Sequence, residues 1–134
     1  MIEFQFLDVP ELNLDYIQEW YNRVAEEEGK RLGVLTIVLG SDEWLLEQNR
    51  FFLQHDYYTD IITFDYCENN FLSGDLLISL DRVDDNAKQY NVSRETELNR
   101  VLIHGLLHLC GYGDKSKKEA ELMRKKEDYY LSLL

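Results

Sequence analysis

The order of strands and helices along the chain is the feature that most restricts its fold. Alternating or β-branched stretches predict four strands, at residues 2–7, 34–40, 60–66 and 75–80. Helical spacing of apolar residues predicts five helices, at about 13–28, 42–52, 81–90, 93–110 and 116–132. A hairpin-like stretch, CENNFLSG, joins the last two strands, whereas helices separate the others. We therefore expect a small α/β (α+β-like) domain with a mixed four-stranded sheet packed with about five helices.

Residue types at the helix ends support these boundaries. Side chains that can accept hydrogen bonds from free backbone N–H groups are predicted to cap four helix starts, at Asn13, Ser41, Asp81 and Ser93. Gly29 and Gly111 are predicted to end two helices, because glycine adopts the backbone conformation that a helix end requires.

Length and charge limit the class of protein. With 134 residues, the chain is expected to form a single domain spanning 1–134. Its formal net charge of −12 argues against a broadly basic nucleic-acid binder. However, the segment 115–126, KSKKEAELMRKK, holds six basic and two acidic side chains. This segment is interpreted either as a solvated helix face or as a local contact for phosphate groups.

Hydropathy and cysteine content predict the compartment. No apolar run reaches the length of a membrane span, about 18 residues. The first residues, MIEFQFLDVPEL, have no basic region and alternate like a strand, so a signal peptide is not expected. Cys67 and Cys110 are too few for a disulfide framework and are expected to be free, buried thiols. The sequence therefore predicts a cytoplasmic protein that does not contact a membrane.

The helix predicted at 93–110 carries a pattern typical of a metal site. His104 and His108 are four residues apart, so both imidazoles leave the same helix face about one turn apart. Gly111 can turn the chain back after the helix, which allows Asp114 to reach the same ion. Three protein ligands leave one position of a tetrahedral zinc ion open, as in catalytic rather than structural sites. We expect one zinc ion per chain, although the ligand set also suits other divalent metals.

Two alternatives to this ligand set remain open. Leu98, Leu102 and Leu106 make the helix a buried one, so both histidines could instead be core residues, each hydrogen-bonded to its own partner. Cys110 could be a ligand, but its position on the helix points about 160° away from the face of His108. We interpret Cys110 as a small core residue.

The residue after His104 bears on the type of hydrolysis. Zinc peptidases with the HExxH signature have a glutamate there as general base, and this chain has Gly105. Phosphodiester cleavage relies more on the metal and on cations around the phosphate, so the missing glutamate affects it less. The sequence favours a phosphodiesterase over a peptidase.

Several stretches resemble the signatures of the YbeY family. HGLLHLCGYGD, which begins at His104, is similar to that family's HGxLHLxGYDH. TDIITF at 59–64 resembles its TDVLSF strand, and SGDLLIS at 73–79 resembles its LGDIxIS strand. Met123 and Glu127 resemble the MxxxE of its last helix. The resemblance extends over most of residues 49–127, in the family's order.

This resemblance implies a fold, an activity and partners. YbeY proteins have a small α/β domain with the zinc-binding helix packed on a mixed sheet. They are metal-dependent endoribonucleases of small-subunit ribosomal RNA processing, including its 3′ end, and of ribosome quality control. The resemblance therefore implies catalysis through the ion held by His104, His108 and Asp114. It implies ribosomal RNA and the small ribosomal subunit as partners, with no DNA expected.

The chain departs from the family pattern at two positions. Asp114 aligns with the family's third histidine and Gly113 with its usual aspartate, and Asp114 remains a competent ligand. Leu53 lies where the family has a loop arginine thought to touch the phosphate. Arg50, His55 or the basic last helix are candidates to replace this arginine. The predicted RNA contacts are Arg50 and the basic residues that follow Asp114, namely Lys115, Lys117 and Lys118.

The loop before the third strand holds further candidates. His55 is predicted either as an exposed loop residue or as a substrate contact or proton shuttle near the metal. Tyr57, Tyr58 and Tyr112 are expected to be packing residues. The alternative is that they stack on single-stranded bases. Asp60 and Asp75 are interpreted as turn residues that could line the cleft.

Two other functions are compatible with the sequence. A zinc peptidase-like hydrolase would share the histidine pair, although it lacks the glutamate after His104. A ribosome-assembly factor with a structural metal and little catalysis agrees with the acidic charge and with Leu53 in the loop.

Overall fold

The computed structural model describes all 134 residues, Met1–Leu134. The strands are β1 Ile2–Phe6, β2 Arg31–Gly40, β3 Ile61–Asp65 and β4 Phe71–Ser79. The helices are α1 Tyr16–Glu27, α2 Asp42–Leu53, α3 Leu80–Tyr90, α4 Arg94–Leu109 and α5 Lys117–Leu131. The order and number of elements agree with the prediction.

The four strands form one mixed sheet in the order β1-β2-β4-β3. β1 pairs with β2 and β2 with β4 in parallel, and β3 pairs with β4 antiparallel. The antiparallel pair follows from the short connection, since two strands joined by a tight turn run in opposite directions. The predicted mixed sheet with its single hairpin is therefore confirmed.

The two faces of the sheet are covered unequally. Because side chains alternate along a strand, Ile37 and Leu39 of β2 point to one face and Val38 to the other. The first face joins a core of 23 buried residues that includes side chains of α1, α3, α4 and α5. The second face has a cluster of four buried residues, in which α2 contributes Leu45.

The helix ends confirm two predicted caps and correct two others. Ser41 and Ser93 accept hydrogen bonds from the backbone of Trp44 and Thr96, as predicted. The predicted cap at Asp81 is wrong, because α3 begins earlier. The predicted cap at Asn13 is wrong because α1 begins only at Tyr16, after a turn.

Other residues occupy the N-cap positions of α3 and α1. Ser79, the last residue of β4, caps α3 and accepts a hydrogen bond from the Arg82 N–H. Asp15 is the N-cap of α1 without a side-chain bond, and Asn13 accepts from the Asp15 N–H within the turn. Both corrections arise because the chain enters the helix directly from a strand or a turn.

The hairpin between β3 and β4 is shorter than the stretch CENNFLSG suggested. β4 begins at Phe71, and its first residues pair with Arg31 and Leu32 of β2, which also begins earlier than predicted. Gly74 lies inside the strand, where an added Cβ would lie 2.2 Å from the Phe64 carbonyl oxygen. The glycine that resembles a turn residue in the sequence therefore permits close approach of β3.

Neither cysteine is in a disulfide, and both are half-buried. The predicted free thiols are confirmed, but they are less buried than expected. Burial raises the pKa of the Cys110 thiol to about 12, and Cys110 packs against the large core. None of the helices combines the length and apolar character that crossing a bilayer requires.

Candidate metal centre

The structure brings His104, His108 and Asp114 together at one point. The two histidines lie one turn apart on α4, and their Nε2 atoms are 2.9 Å from each other. The Asp114 Oδ2 lies 3.3 Å from each of these nitrogens. All three donor atoms are within 4.8 Å of one another, and the three residues are partly accessible to solvent. The sequence prediction of a shared group is therefore matched by the geometry.

The chain reversal after α4 brings Asp114 to the histidines. Gly111 has a φ of +106°, in the region that favours glycine. Its N–H donates to the His108 carbonyl at 3.0 Å, and the next N–H, of Tyr112, donates to the Leu107 carbonyl at 3.1 Å. These bonds satisfy carbonyls at the helix end and direct the following residues back over the histidine face.

The outward nitrogen of each imidazole has a fixed partner. The Nδ1 of His108 lies 2.8 Å from the Tyr112 backbone carbonyl, and the Nδ1 of His104 lies 2.6 Å from Oε2 of Glu127. A carbonyl can only accept a hydrogen bond, so the Nδ1 of His108 carries the proton. In the neutral ring, Nε2 then presents its lone pair toward Asp114. Such partners on the far nitrogen are typical of histidines that bind metals.

These donor atoms fit a divalent ion. Ligands at about 2.0–2.1 Å from a tetrahedral zinc ion lie about 3.3 Å apart, which matches both histidine–aspartate distances. When both imidazoles are neutral and carry their protons on Nδ1, their Nε2 atoms and the Asp114 carboxylate face each other as acceptors without a donor. A cation between them removes this conflict, and the mixed nitrogen and oxygen set suits zinc and several other divalent metals.

Glu127 connects the histidines to α5. Its side chain is 7% exposed and also accepts a hydrogen bond from Nη1 of Arg100 at 3.0 Å. Burial lowers the pKa of His104, but the hydrogen bond and the charge of Glu127 outweigh that effect, so the pKa is raised. Arg100 balances the buried carboxylate, which keeps an uncompensated charge out of the core.

A half-buried carboxylate, that of Glu28, fixes the loop that carries Asp114. Glu28, just after α1, accepts hydrogen bonds from the hydroxyls of Tyr112 and Tyr130 and from Nζ of Lys126 at 3.1 Å. The Tyr112 hydroxyl lies 2.6 Å from Glu28, and the Lys126 ammonium lies 5.4 Å from the centre of its ring. Tyr112 is therefore a packing residue whose carbonyl also orients His108.

Two cavities meet at the metal group. One, of about 550 Å³, is lined by His104, His108 and Asp114 together with residues of the 53–63 region. The other, of about 420 Å³, lies toward α3 and α5 and includes Glu97, Arg100 and Glu127. The residues common to both are Asp60, Ile61, His104 and Asp114. The two cavities therefore adjoin at the metal group.

Only some of the remaining predicted site residues line the two cavities. His55 and Lys115 line the larger cavity, as does Leu53. Arg50 lies outside the lining of both cavities, and its Nε is 2.5 Å from the Asp56 carboxylate. The exposed side chains of Lys117 and Lys118 are in the first turn of α5.

The two aspartates that could line the cleft differ in their position relative to the cavities. Asp60 lines both cavities, and burial raises the pKa of its carboxyl, against the opposing charge of His104 and two backbone hydrogen bonds. Asp75 lies within β4 and accepts a hydrogen bond from the Tyr66 hydroxyl at 3.2 Å. The reading of Asp60 as a cleft residue is supported, and that of Asp75 as a turn residue is corrected.

Sequence reasoning missed the residues that support the ligands. In the sequence, Glu127 belongs to a family pattern only, and no pattern identifies Arg100 or Glu28 as a supporting residue. Their roles depend on contacts between elements far apart in the chain, such as the one between α1 and the loop after α4. One available signal was that Glu127 follows Met123 by four residues, on the buried face of α5.

Comparison with known proteins agrees with the geometry. The profile of the family described as "Endoribonuclease YbeY" matches residues 5–134. An "Endoribonuclease YbeY" from Bacteroides thetaiotaomicron is 50% identical over 125 residues, 93% of this chain and 91% of the relative. One from Phocaeicola vulgatus is 48% identical over 136 aligned positions, 100% and 99% of the two chains.

A solved structure shares the fold. The solution structure of a Thermotoga maritima protein superposes with a TM-score of 0.72 at 28% identity. The match covers 97% of this chain and 86% of that one. Since the family profile spans nearly the whole chain and full-length relatives share about half of its residues, the chain belongs to the YbeY endoribonuclease family.

Proposed function

We propose that this protein is a zinc-dependent endoribonuclease that cleaves single-stranded RNA during maturation of the 3′ end of small-subunit ribosomal RNA and in ribosome quality control. Membership of the family identifies the reaction as hydrolysis of RNA phosphodiester bonds. The observation that carries the proposal is the convergence of His104, His108 and Asp114 where two cavities meet. The ribosomal partner and the cytoplasmic location rest on the family resemblance.

The chain's own groups have separable tasks in this proposal. His104, His108 and Asp114 would hold the zinc ion, which when bound supplies a Lewis acid for the phosphate oxygens. Glu127 and the Tyr112 carbonyl hold the imidazoles in position. Because these hydrogen bonds already fix the imidazoles, the ligands need little rearrangement when the metal binds.

Lys115 is the one lysine or arginine in the lining of the larger cavity. Arg100 and Arg124 line the smaller cavity, where both lie near the Glu127 carboxylate. Lys115 lines the larger cavity beside Asp114 and is the cation best placed to contact the RNA backbone. Lys117 and Lys118, two and three residues further along at the start of α5, would extend this contact. Arg50 contributes less, since it lies outside the lining of both cavities and pairs with Asp56. His55 lines the larger cavity, where it would face the substrate.

The peptidase alternative meets a steric obstacle. An added Cβ at Gly105 would lie 2.8 Å from Cδ1 of Ile61 and 3.1 Å from both δ carbons of Leu76. Position 105 therefore faces the sheet, so a glutamate there would enter the core instead of the metal cleft. The general base of HExxH peptidases has no equivalent at this position.

A non-catalytic assembly factor is the second candidate. The net charge of −12 and the small number of free cations near the cleft favour it, because electrostatic attraction to RNA is weak. In that case the metal would hold the loop after α4 and the protein would bind preassembled ribosomal particles. Cleavage assays distinguish the two candidates directly.

The test compares RNA cleavage by chelated and zinc-repleted protein. We expect zinc to restore cleavage of single-stranded RNA by the wild type and not by a His104→Ala, His108→Ala variant. The variant should remain folded by circular dichroism, because both side chains are only partly buried. Absence of metal-dependent cleavage of any single-stranded RNA would refute the enzyme proposal and favour the assembly factor.

A further inference from the structure

An ordered aromatic pair forms part of the wall of the larger cavity. The rings of His55 and Tyr57 are stacked, with centroids 5.1 Å apart and planes 20° from parallel. The Tyr57 hydroxyl lies 3.0 Å from Nδ1 of His55. Both residues line the same cavity as His104, His108 and Asp114.

A buried asparagine holds this pair in place. Asn49, four residues before the end of α2, is 1% exposed. Its carbonyl accepts a hydrogen bond from the His55 N–H at 3.2 Å, and its side-chain amide donates to the Tyr57 carbonyl at 2.9 Å. One buried residue therefore anchors both members of an exposed pair, so the rings are preorganised although they lie on a loop.

The charge around the pair is unsuited to capture of a phosphate backbone. The acidic side chains lining the larger cavity are those of Asp60, Asp65 and Asp114, against one lysine or arginine, Lys115. A bound divalent ion offsets Asp114 but leaves the other carboxylates. A nucleic-acid strand that enters this cavity therefore needs an attraction that does not depend on cations.

Stacking on bases supplies such an attraction. Tyr57 is 56% exposed even though one face of its ring packs on His55. Every nucleobase presents a π face, and stacking on an aromatic side chain is insensitive to sequence. Single-stranded bases are free to stack in this way, whereas paired bases in a helix are not.

We propose that His55 and Tyr57 form a base-stacking platform that holds an unpaired nucleotide of the RNA beside the metal group. This inference rests on the proposed function and specifies how the site recognises its substrate. The platform selects single-stranded RNA, and it replaces part of the cationic contact that the acidic cavity lacks.

The neighbouring tyrosine provides a matched control. Tyr58 is 47% exposed, close to the value for Tyr57. Its hydroxyl donates to Glu43 at 2.6 Å, and the Arg82 guanidinium lies over its ring, 5.5 Å from the centre. Tyr58 therefore packs against α2 and α3, and its removal should not alter RNA binding.

The first experiment measures binding of a short, fluorescently labelled single-stranded RNA by anisotropy in chelator, where metal-dependent cleavage stops. Tyr57→Leu should weaken binding by about 5- to 150-fold, the range for loss of one stacked base. Tyr57→Phe, which keeps the ring, and Tyr58→Leu should bind within about twofold of the wild type. The salt dependence of binding should be the same for Tyr57→Leu and wild type, because no charge is removed.

The second experiment removes the base instead of the ring. An abasic nucleotide is placed at each position of the RNA in turn, and wild type and Tyr57→Leu are compared on every oligonucleotide. At one position the abasic site should weaken binding to the wild type and leave binding to Tyr57→Leu unchanged. With zinc-loaded protein and intact RNA, Tyr57→Leu should raise KM and leave kcat nearly unchanged.

The outcomes separate this inference from the proposed function. Wild-type affinity in Tyr57→Leu, equal losses in Tyr57→Leu and Tyr58→Leu, or no abasic position at which the two proteins converge would overturn the platform alone. A wild-type protein that neither binds nor cleaves single-stranded RNA would overturn the proposed function and the platform with it. Circular dichroism of each variant excludes loss of folding as the cause.

Discussion

The layers packed on the two faces of the sheet differ in thickness. This difference matches the separation between the residues that would bind the metal and those that would contact RNA. One face joins a core of 23 buried residues and carries α4 with both histidines. The other has four buried residues under α2, and the loop that follows α2 exposes His55 and Tyr57. Metal ligands therefore lie on the thickly packed side, and the residues proposed to meet RNA begin on the thin side.

This division has a physical reason. Ligand atoms must be held within a few tenths of an ångström, which requires side chains fixed by packing and by a second layer of hydrogen bonds. Contacts with a flexible RNA strand tolerate more movement, and exposed loops can supply them. In this chain the thin side is nevertheless ordered where it approaches the metal, because Asn49 fixes both ends of the aromatic pair.

The largest expected effect is on stability, and it comes from the same substitution made in each of the two buried clusters. Leu106→Ala, in α4, should lower the free energy of unfolding by about 4 kcal/mol, since the dense core cannot collapse into the cavity. Leu45→Ala, in α2, should cost about 2 kcal/mol, because the thin layer can relax toward solvent. Both leucines are buried and helical, so intrinsic helix propensity cancels. Urea unfolding of metal-free protein measures both, and equal losses would contradict the comparison.

The next effect concerns the support of His104 on the thick side. Glu127→Gln keeps the size of the side chain but removes the charge that the His104 Nδ1 and Arg100 contact. We expect zinc affinity to fall by about 10- to 100-fold, as is usual for such partners. Competition with a chelating dye measures this affinity. Glu121→Gln, on the exposed face of the same helix, serves as the control and should bind zinc normally.

A pH experiment examines the link between α1 and the loop after α4. Burial alone would raise the pKa of Glu28, but hydrogen bonds from Tyr112, Tyr130 and Lys126 outweigh it, so the pKa is lowered from 4.5. A carboxyl with a lowered pKa stabilises the folded state above its unfolded pKa and loses that contribution as the pH falls through its folded pKa. Glu28→Gln should therefore cost about 1 kcal/mol near pH 7.

The difference between wild type and Glu28→Gln should shrink as the pH falls below 4.5. Urea midpoints measured at a series of pH values provide the test. A difference that stays constant into acid would mean that the variant acts through packing and not through the charge of Glu28.

The smallest expected effect concerns cations near the cleft. Lys115→Ala should weaken RNA binding and reduce the slope of log affinity against log salt by about one. Arg50→Ala should change RNA affinity by no more than about twofold, because Asp56 already pairs with the guanidinium. Anisotropy titrations at several salt concentrations measure both. A larger effect of Arg50 than of Lys115 would place the RNA path over α2 instead of across the metal cleft.

The metal group was predictable from the sequence because its geometry is local. His104 and His108 are related by one helical turn, and the glycine that returns Asp114 to them is only three residues away. The order of elements and the mixed sheet were predictable for a similar reason, since periodicity and connection length act over short stretches. Helix starts at Ser41 and Ser93 follow the same local rule.

The rest depended on contacts that sequence spacing does not report. Glu28 supports the site from α1, far from Tyr112 in the chain, and Glu127 does so from α5. Gly74 resembles a turn residue, yet it lies within β4, where the approach of Phe64 requires it. The placement of His55 and Tyr57 depends on the buried Asn49 of α2, whose contacts with both residues a helical pattern does not report.

The most direct test of the account is elemental analysis of native protein purified without an affinity tag, beside Asp114→Ala. We expect about one zinc ion per wild-type chain and much less in the variant. Added zinc should raise the thermal stability of metal-depleted wild type, because a ligand that binds only the folded state stabilises it by mass action. A metal-free, well-folded wild type whose melting temperature does not respond to zinc would contradict the His-His-Asp centre.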